Sequence, residues 1–314
     1  METNISSRPQ DPTTNGPNTQ EAEKSKFKAD LGKRYTFDRI FKAIAWGATI
    51  VSVVILAWLL LTILIDGLGT LNWGFITSYP SRKAERAGII AALSGTAWLM
   101  GLVTLFSFPI GVGAGIFLEE FAEDNWFSRL VEINIGNLAG VPSIIYGLLG
   151  LAVFVRIMEP ITGGRSVLSG SLTVSLLILP VIIVATREAL RAVPDSMRLA
   201  GYALGATRWQ VLSSHVLPAA MPGILTGVIL ALSRAIGETA SLIAVGAAVF
   251  ISFLPEGLTS QFTAMPIQIY NWISRPQDEF HYIAASGIIV LMSALLLMNG
   301  VAIYLRNRFQ QSKI

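Results

Sequence analysis

Residues 187–223 read REALRAVPDSMRLAGYALGATRWQVLSSHVLPAAMPG. Four arginines stand in this stretch, between apolar runs long enough to cross a bilayer. Pro194 opens a new element, because proline suits the first turn of a helix and not its interior. The run DSMRLAGYAL has the composition of a short helix, and Gly205 is placed to end it in the left-handed conformation. TRWQ then sets Thr207 and Gln210 at capping-box spacing ahead of a further apolar run. The expectation is two short helices joined at Gly205 on the surface. Such a hairpin is either a plain connector or a docking surface.

Working outward, the chain is 53% hydrophobic and 14% charged over 314 residues. A soluble domain carries about 25% charged residues, so the shortfall points to a membrane protein. Six runs are long enough to span: roughly Lys42–Asp66, Gly88–Leu118, Val131–Val155, Val167–Thr186, Pro218–Ile251 and Tyr282–Leu305. A span needs about 20 apolar residues. The second and fifth runs exceed that, so each is expected to be tilted or broken, with Pro109 and Pro222 as weak points. Residues 1–36 are polar, rich in Pro, Asn and Thr, and lack periodicity, which predicts a disordered cytoplasmic tail ahead of a permease-sized domain at 37–314. No apolar core of a signal peptide follows the start.

Six spans put both termini on one side. Sixteen Lys and Arg residues fall on that side and six on the other, so the positive-inside rule makes both termini cytoplasmic. The loop at 187–217 shares their side. The chain has no cysteine and two histidines, which excludes disulfides and argues against a metal site; no cofactor is expected. A net charge of +3 gives no basic tail for nucleic acid. No extramembrane segment is large enough for a catalytic domain, and no Walker-type GxxxxGK[ST] occurs, so the chain is not expected to be an enzyme. GVGAG at 111–115 lies in an apolar run and reads as close helix packing through small residues rather than a phosphate loop.

Several polar residues interrupt the spans. RAIGETA puts Arg234 and Glu238 four residues apart in the fifth run, on one face of a helix and close enough to pair. The alternatives are an ion pair tying helices together or a lining of a path, since intramembrane ionisable residues mark pathways. Arg187 closes the fourth run as a second path candidate or a positive-inside anchor. PSIIYG places Ser143 and Tyr146 on a Pro-containing helix, as path hydroxyls or packing groups. LEEFAEDNW gathers Glu119, Glu120, Glu123 and Asp124 in a turn that reads as a solvated helix end.

YALGATRWQ followed by VLP resembles the EAA loop of ABC-transporter permeases. GVPSIIYGLLGL (140–151), FPIGVGAGIFLEEFA (108–122) and RAIGETA (234–240) are similar to phosphate-specific transport permeases. MPIQIYNWISRPQDEF (265–280) and MNGVAIYLRNRF (298–309) resemble the A-type subunit of that family. The resemblance spans nearly all of 37–314 and implies an all-α membrane protein, with six transmembrane helices of the type I ABC importer permease fold, in a bacterial inner membrane. It implies a C-type phosphate permease subunit, two copies of an ABC ATPase and a periplasmic phosphate-binding protein as partners. It assigns ATPase coupling to Tyr202, Ala203, Leu204, Gly205, Ala206, Leu217 and Pro218. The loop departs at its head, where Ala200, Gly201 and Tyr202 stand in place of Glu-Ala-Ala. For a phosphate substrate, Arg234 would supply a planar fork of donors that stays charged, and Glu238 would keep the anion from binding too tightly to leave. An ABC permease for another oxyanion, or a secondary anion transporter, remain open alternatives.

Overall fold

The computed structural model describes residues 31–248 and 250–311. Residues 1–30 of the expected tail lie outside them, and residues 31–36 already belong to the first helix. Among the described residues every regular element is helical: α1 (Leu31–Leu68), α2 (Trp73–Thr77), α3 (Ile90–Ile116), α4 (Trp126–Ala139), α5 (Ser143–Gly150), α6 (Glu159–Thr162), α7 (Val167–Arg191), α8 (Asp195–Ala203), α9 (Arg208–Val211), α10 (Leu217–Ile236), α11 (Ala240–Val245), α12 (Met265–Ile273) and α13 (Asp278–Gln311). Widened π turns extend α3 over Phe117–Phe121, extend α5 over Leu151–Ile157, and join α9 to α10 over Leu212–Val216. Five helices are long and apolar enough to cross a membrane, and α4–α5 makes a sixth if its two arms, bent by 104°, are one span.

The α7 helix is the core. Its N-terminus carries a reciprocal capping box, Ser166 with Ser169. Its hydroxyls bond back along the helix, Ser171 to the Val167 carbonyl at 2.7 Å and Thr173 to that of Ser169 at 2.8 Å. In lipid, where water cannot serve them, such groups must be satisfied internally. Helices there gain little from burying apolar faces against each other, so packing depends on close approach. Gly111 and Gly115 of α3, spaced by four, meet Ile182 and Thr186 of α7, also spaced by four; a Cβ at either glycine would lie 2.6 Å from that neighbour. This is the packing expected of GVGAG. On another flank of α7, Gly223 and Gly227 of α10 meet Ala189 and Ala185. Two small-residue seams thus hold α7 between α3 and α10.

Contacts at the helix ends fix the crossings. Glu119, just past α3, pairs with Arg187 and Arg191 in the last turn of α7, so these ends share a face, called here the loop face. The start of α7 lies roughly 37 Å away, at 1.5 Å per residue. The segment from residue 122 to 166 therefore crosses, although its helices are bent. Loop 246–264 meets the start of α7 on the far face: the orphan N–H groups of Val167 and Leu168 donate to the carbonyls of Ser260 and Leu258 at 3.0 and 2.9 Å. The α13 helix starts beside residues 67–70, where the Ser286 hydroxyl donates to the Gly67 carbonyl at 2.7 Å. It returns to α10, where Arg306 Nη1 donates to Thr226 Oγ1 at 3.0 Å.

Two expected spans are not continuous helices. The third breaks at Gly140–Pro142, because Pro142 donates no hydrogen bond and disfavours helical geometry in the residue before it. The Tyr146 hydroxyl closes that bend with a 2.7 Å bond to the Leu138 carbonyl. The fifth stops at Ile236, restarts at Ala240 and ends at Gly246, whose φ of 90° is left-handed. The described residues between Gly246 and α12 are irregular. Irregular backbone at membrane depth is tolerated where protein covers it, and Phe262, Thr263 and Ala264 are all buried. Met265 N donates to Thr96 Oγ1 at 2.8 Å, pinning this segment to the start of α3. The fifth span also begins earlier than expected, since α9 runs through its π turn into α10. Pro218 lacks an N–H and its ring crowds the carbonyl four residues back, which widens that turn.

The seam between α7 and α10 yields a test. Gly227→Val drives its side chain into Ala185, and overpacking of this kind costs about 1–3 kcal/mol. The expected result is a lower unfolding temperature in detergent and less chain recovered from membranes. Gly101→Ala, on α3 with open space at its Cβ, leaves both unchanged.

Candidate functional site

Four of the five polar path candidates, all but Arg187, lie at the two helix breaks. Tyr146 is buried on α5, where its hydroxyl braces the bend. The next residue, Gly147, packs on Ser241 and Ala244 of α11, with a Cβ here only 2.6 Å from that of Ala244. So the helix that restarts after the first break lies against the helix that restarts after the second. Arg234 occupies the last turn of α10, just before the second break. Ser143 is half-buried in the first turn of α5.

Arg234 and Glu238 do not form the expected pair. The helix ends between them, so the four-residue spacing no longer puts both on one face. Glu238 instead turns its carboxylate to α11, where Oε1 accepts from Ser241 N at 3.0 Å and satisfies an orphan donor of that short helix. The Ser241 hydroxyl is buried with no hydrogen-bond partner among the described residues. No ion pair or hydrogen bond joins the Arg234 guanidinium to another described residue, and Arg234 is exposed on this chain's surface. An intramembrane cation without a carboxylate partner is costly, by about 3 kcal/mol on insertion scales, and is suited to meeting an anion.

The second cluster is the hairpin at the loop face. Gly205 has φ of 78°, as its position predicts. Gly205 N donates to the Tyr202 carbonyl at 2.9 Å and Ala206 N to that of Gly201 at 3.2 Å, the bond pattern of a Schellman motif. The capping box of Thr207 and Gln210 is formed reciprocally. Around this turn Leu199, Tyr202, Leu204 and Trp209 are exposed, Leu204 at 89%. Ala203 is exposed with them and Ala206 half-buried, while Leu217 and Pro218 sit half-buried at the start of α10. Exposed apolar side chains clustered on a polar loop mark a protein-binding surface.

Behind the hairpin lies a network of charges that the sequence reading treated as a solvated helix end. Arg187 is buried, with Nε 3.2 Å from Glu119 Oε2 and Nη2 2.9 Å from Glu132 Oε1. Arg191 pairs with the same two acids at 2.9 and 3.4 Å. Arg198 of α8 takes the neighbouring acid, Glu120, at 2.7 Å, with side chains 15% and 10% exposed. The π turn at Phe117–Phe121 lets consecutive glutamates serve arginines on two different elements. The hydrogen bonds that Arg198 donates to Glu120 push its own pKa further up. Phe121 adds a ring contact to Trp209, centroids 6.4 Å apart. A signal was present in the sequence: two adjacent acids closing an apolar run, matched by arginines at 187 and 191, one helical turn apart.

A family model described as "Binding-protein-dependent transport system inner membrane component" matches residues 107–311. The phosphate transport system permease protein PstA of Haemophilus influenzae is 30% identical over 280 residues, covering 89% of this chain and 96% of its own. The protein of the same name from Yersinia pestis is 31% identical over 248 residues, covering 79% and 82%. Among solved structures, a bacterial ABC transporter involved in the import of the acidic polysaccharide alginate aligns with a TM-score of 0.59 at 16% identity, covering 88% of this chain and 98% of that one. The fold is that of a type I ABC importer permease.

The buried network yields a second test. Arg187→Gln leaves Glu119 and Glu132 with Arg191 alone, and removing one partner of a buried pair costs about 3 kcal/mol, the low end because Arg191 remains. Thermal unfolding in detergent is expected to show that loss. Arg208→Gln, on the exposed start of α9, is expected to show none.

Proposed function

We propose that this chain, which belongs to the family of binding-protein-dependent transport system inner membrane components, is the A-type permease subunit of an ATP-driven phosphate importer. It is a multi-pass inner-membrane transport subunit and works with a second permease and ATPase subunits. In this reading the second permease is a C-type phosphate subunit, two ABC ATPase chains drive the cycle, and a periplasmic phosphate-binding protein delivers the anion. The loop face is cytoplasmic, as are both termini, by the excess of sixteen basic residues over six.

The observation that carries this reading is Arg234, a guanidinium in a membrane span with no carboxylate partner among the described residues, exposed on this chain's surface. A phosphate crossing lipid needs donors to replace lost hydration, and the guanidinium fork matches its oxygens. Exposure on one subunit is what a path shared with a second permease requires. Tyr146 and Ser143 line the same path from α5. Glu238 has two parts in it: its carboxylate holds α11 through Ser241 N, and its negative charge keeps phosphate from binding too tightly to be released. Arg187, neutralised by two acids, anchors the cytoplasmic end. Leu204 and Tyr202, with Ala203, Gly205 and Ala206 shaping the turn and Leu217 and Pro218 leading into α10, form the surface that meets the ATPase.

The test is uptake of labelled phosphate into proteoliposomes holding the whole complex, with ATP inside. Arg234→Gln is expected to abolish uptake while the complex still co-purifies; normal uptake would sink the relay. Glu238→Gln keeps an oxygen for the Ser241 bond and removes the charge, so it is expected to slow uptake without loss of assembly. Gly205→Ile forces a β-branched residue into a left-handed turn, at a cost of about 1–2 kcal/mol, and is expected to abolish ATP-dependent uptake. Uptake that persists without any ATPase would point to a secondary carrier.

A further inference from the structure

The docking hairpin touches the membrane body through the Trp209–Phe121 ring contact and is tied to it by the charged side chain of Arg198. Arg198 Nη2 donates to Glu120 Oε1 at 2.7 Å and to the Leu190 carbonyl at 2.9 Å. Nη1 donates to the Val193 carbonyl at 2.9 Å and to Asp195 Oδ1 at 3.2 Å, and Nε to Glu120 at 3.2 Å. Every nitrogen of the guanidinium is engaged. Leu190 belongs to the last turn of α7 and Val193 to the turn just after it, where a cation is also favoured by the helix dipole. One group therefore closes α7, grips the turn after α3 and fixes the first turn of α8.

We propose that Arg198, held by Glu120, is the positioning residue that passes movement of the docking hairpin to α3 and α7, and so couples ATP hydrolysis to transport. This rests on the importer reading above. The head of the loop supplies no acid or base of its own at Ala200, Gly201 and Tyr202, so the charged attachment of α8 comes from the residue two positions earlier. Elsewhere α8 meets its surroundings through small or apolar contacts, such as Gly201 against Val211. At Gly205 the chain turns in open space. A displacement of α8 is thus carried by the Arg198 clasp to two helices that run the full depth of the membrane, and α10 with Arg234 is packed on one of them. Lysine cannot replace Arg198, because a single ammonium cannot hold a carboxylate by a fork and reach two carbonyls at once.

The experiment measures phosphate transported per ATP hydrolysed in proteoliposomes, for the wild-type complex and for Arg198→Lys, Arg198→Gln, Glu120→Gln and the double variant Glu120→Gln/Arg198→Gln. Assembly is followed by co-purification. The expected result is an assembled complex that still hydrolyses ATP. The ratio falls about tenfold in Arg198→Gln and by less in Arg198→Lys and Glu120→Gln. The double variant falls no further than Arg198→Gln, because the two residues act as one device. A wild-type ratio in all three single variants overturns the proposal. So does loss of assembly in Arg198→Gln combined with full coupling in Arg198→Lys and Glu120→Gln, which makes the clasp purely structural. A wild-type complex that takes up no phosphate with ATP counts instead against the importer reading.

Discussion

Close backbone approach along α7 is the constraint on which the structure depends. Lipid tails compete with apolar side chains on equal terms, so helices associate where small residues let them touch. Gly111 and Gly115 bring α3 to one flank of α7, and Gly223 and Gly227 bring α10 to another. With α7 fixed between them, the ends of α3 and α7 must meet at one face, and there the acids at 119 and 120 find the arginines at 187, 191 and 198. The charge network is thus a consequence of the seams, since buried ions settle where packing has already placed compensating partners.

The same packing permits the helix breaks. A chain turning at Gly140–Pro142, or losing its helix after Ile236, leaves backbone groups that lipid cannot serve. Both breaks are covered. Tyr146 takes the Leu138 carbonyl, Glu238 takes the Ser241 N–H, and α5 lies against α11. The price is a charged side chain at Arg234 with no ion-pair partner among the described residues. Discontinuous helices in transporters place backbone ends and polar groups where a substrate passes, and the unpartnered guanidinium stands at such a place.

Much of this was legible in the residues. The six apolar runs, the left-handed turn at Gly205, the Thr207–Gln210 capping box and the packing role of GVGAG each follow from local rules of period, capping and residue size. What stayed hidden depends on distant partners. Four-residue spacing joined Arg234 to Glu238 only if the helix continued, and the helix stops because α11 is packed elsewhere, on Gly147. Glu119 and Glu120 looked like a solvated end because their arginines lie about seventy positions later in the chain. The π turn that aims them has no signature as plain as a proline or a cap.

The Arg198 clasp also sets an order of events during synthesis. Glu120, Leu190, Val193 and Asp195 all precede Arg198 in the chain. Every group it needs has therefore left the ribosome when it emerges, while α10, α11 and α13 have yet to leave it. A chain that folds from its N-terminus as it is made can finish the end of the fourth span, and fix the first turn of the docking hairpin to it, before the helix bearing Arg234 enters the membrane.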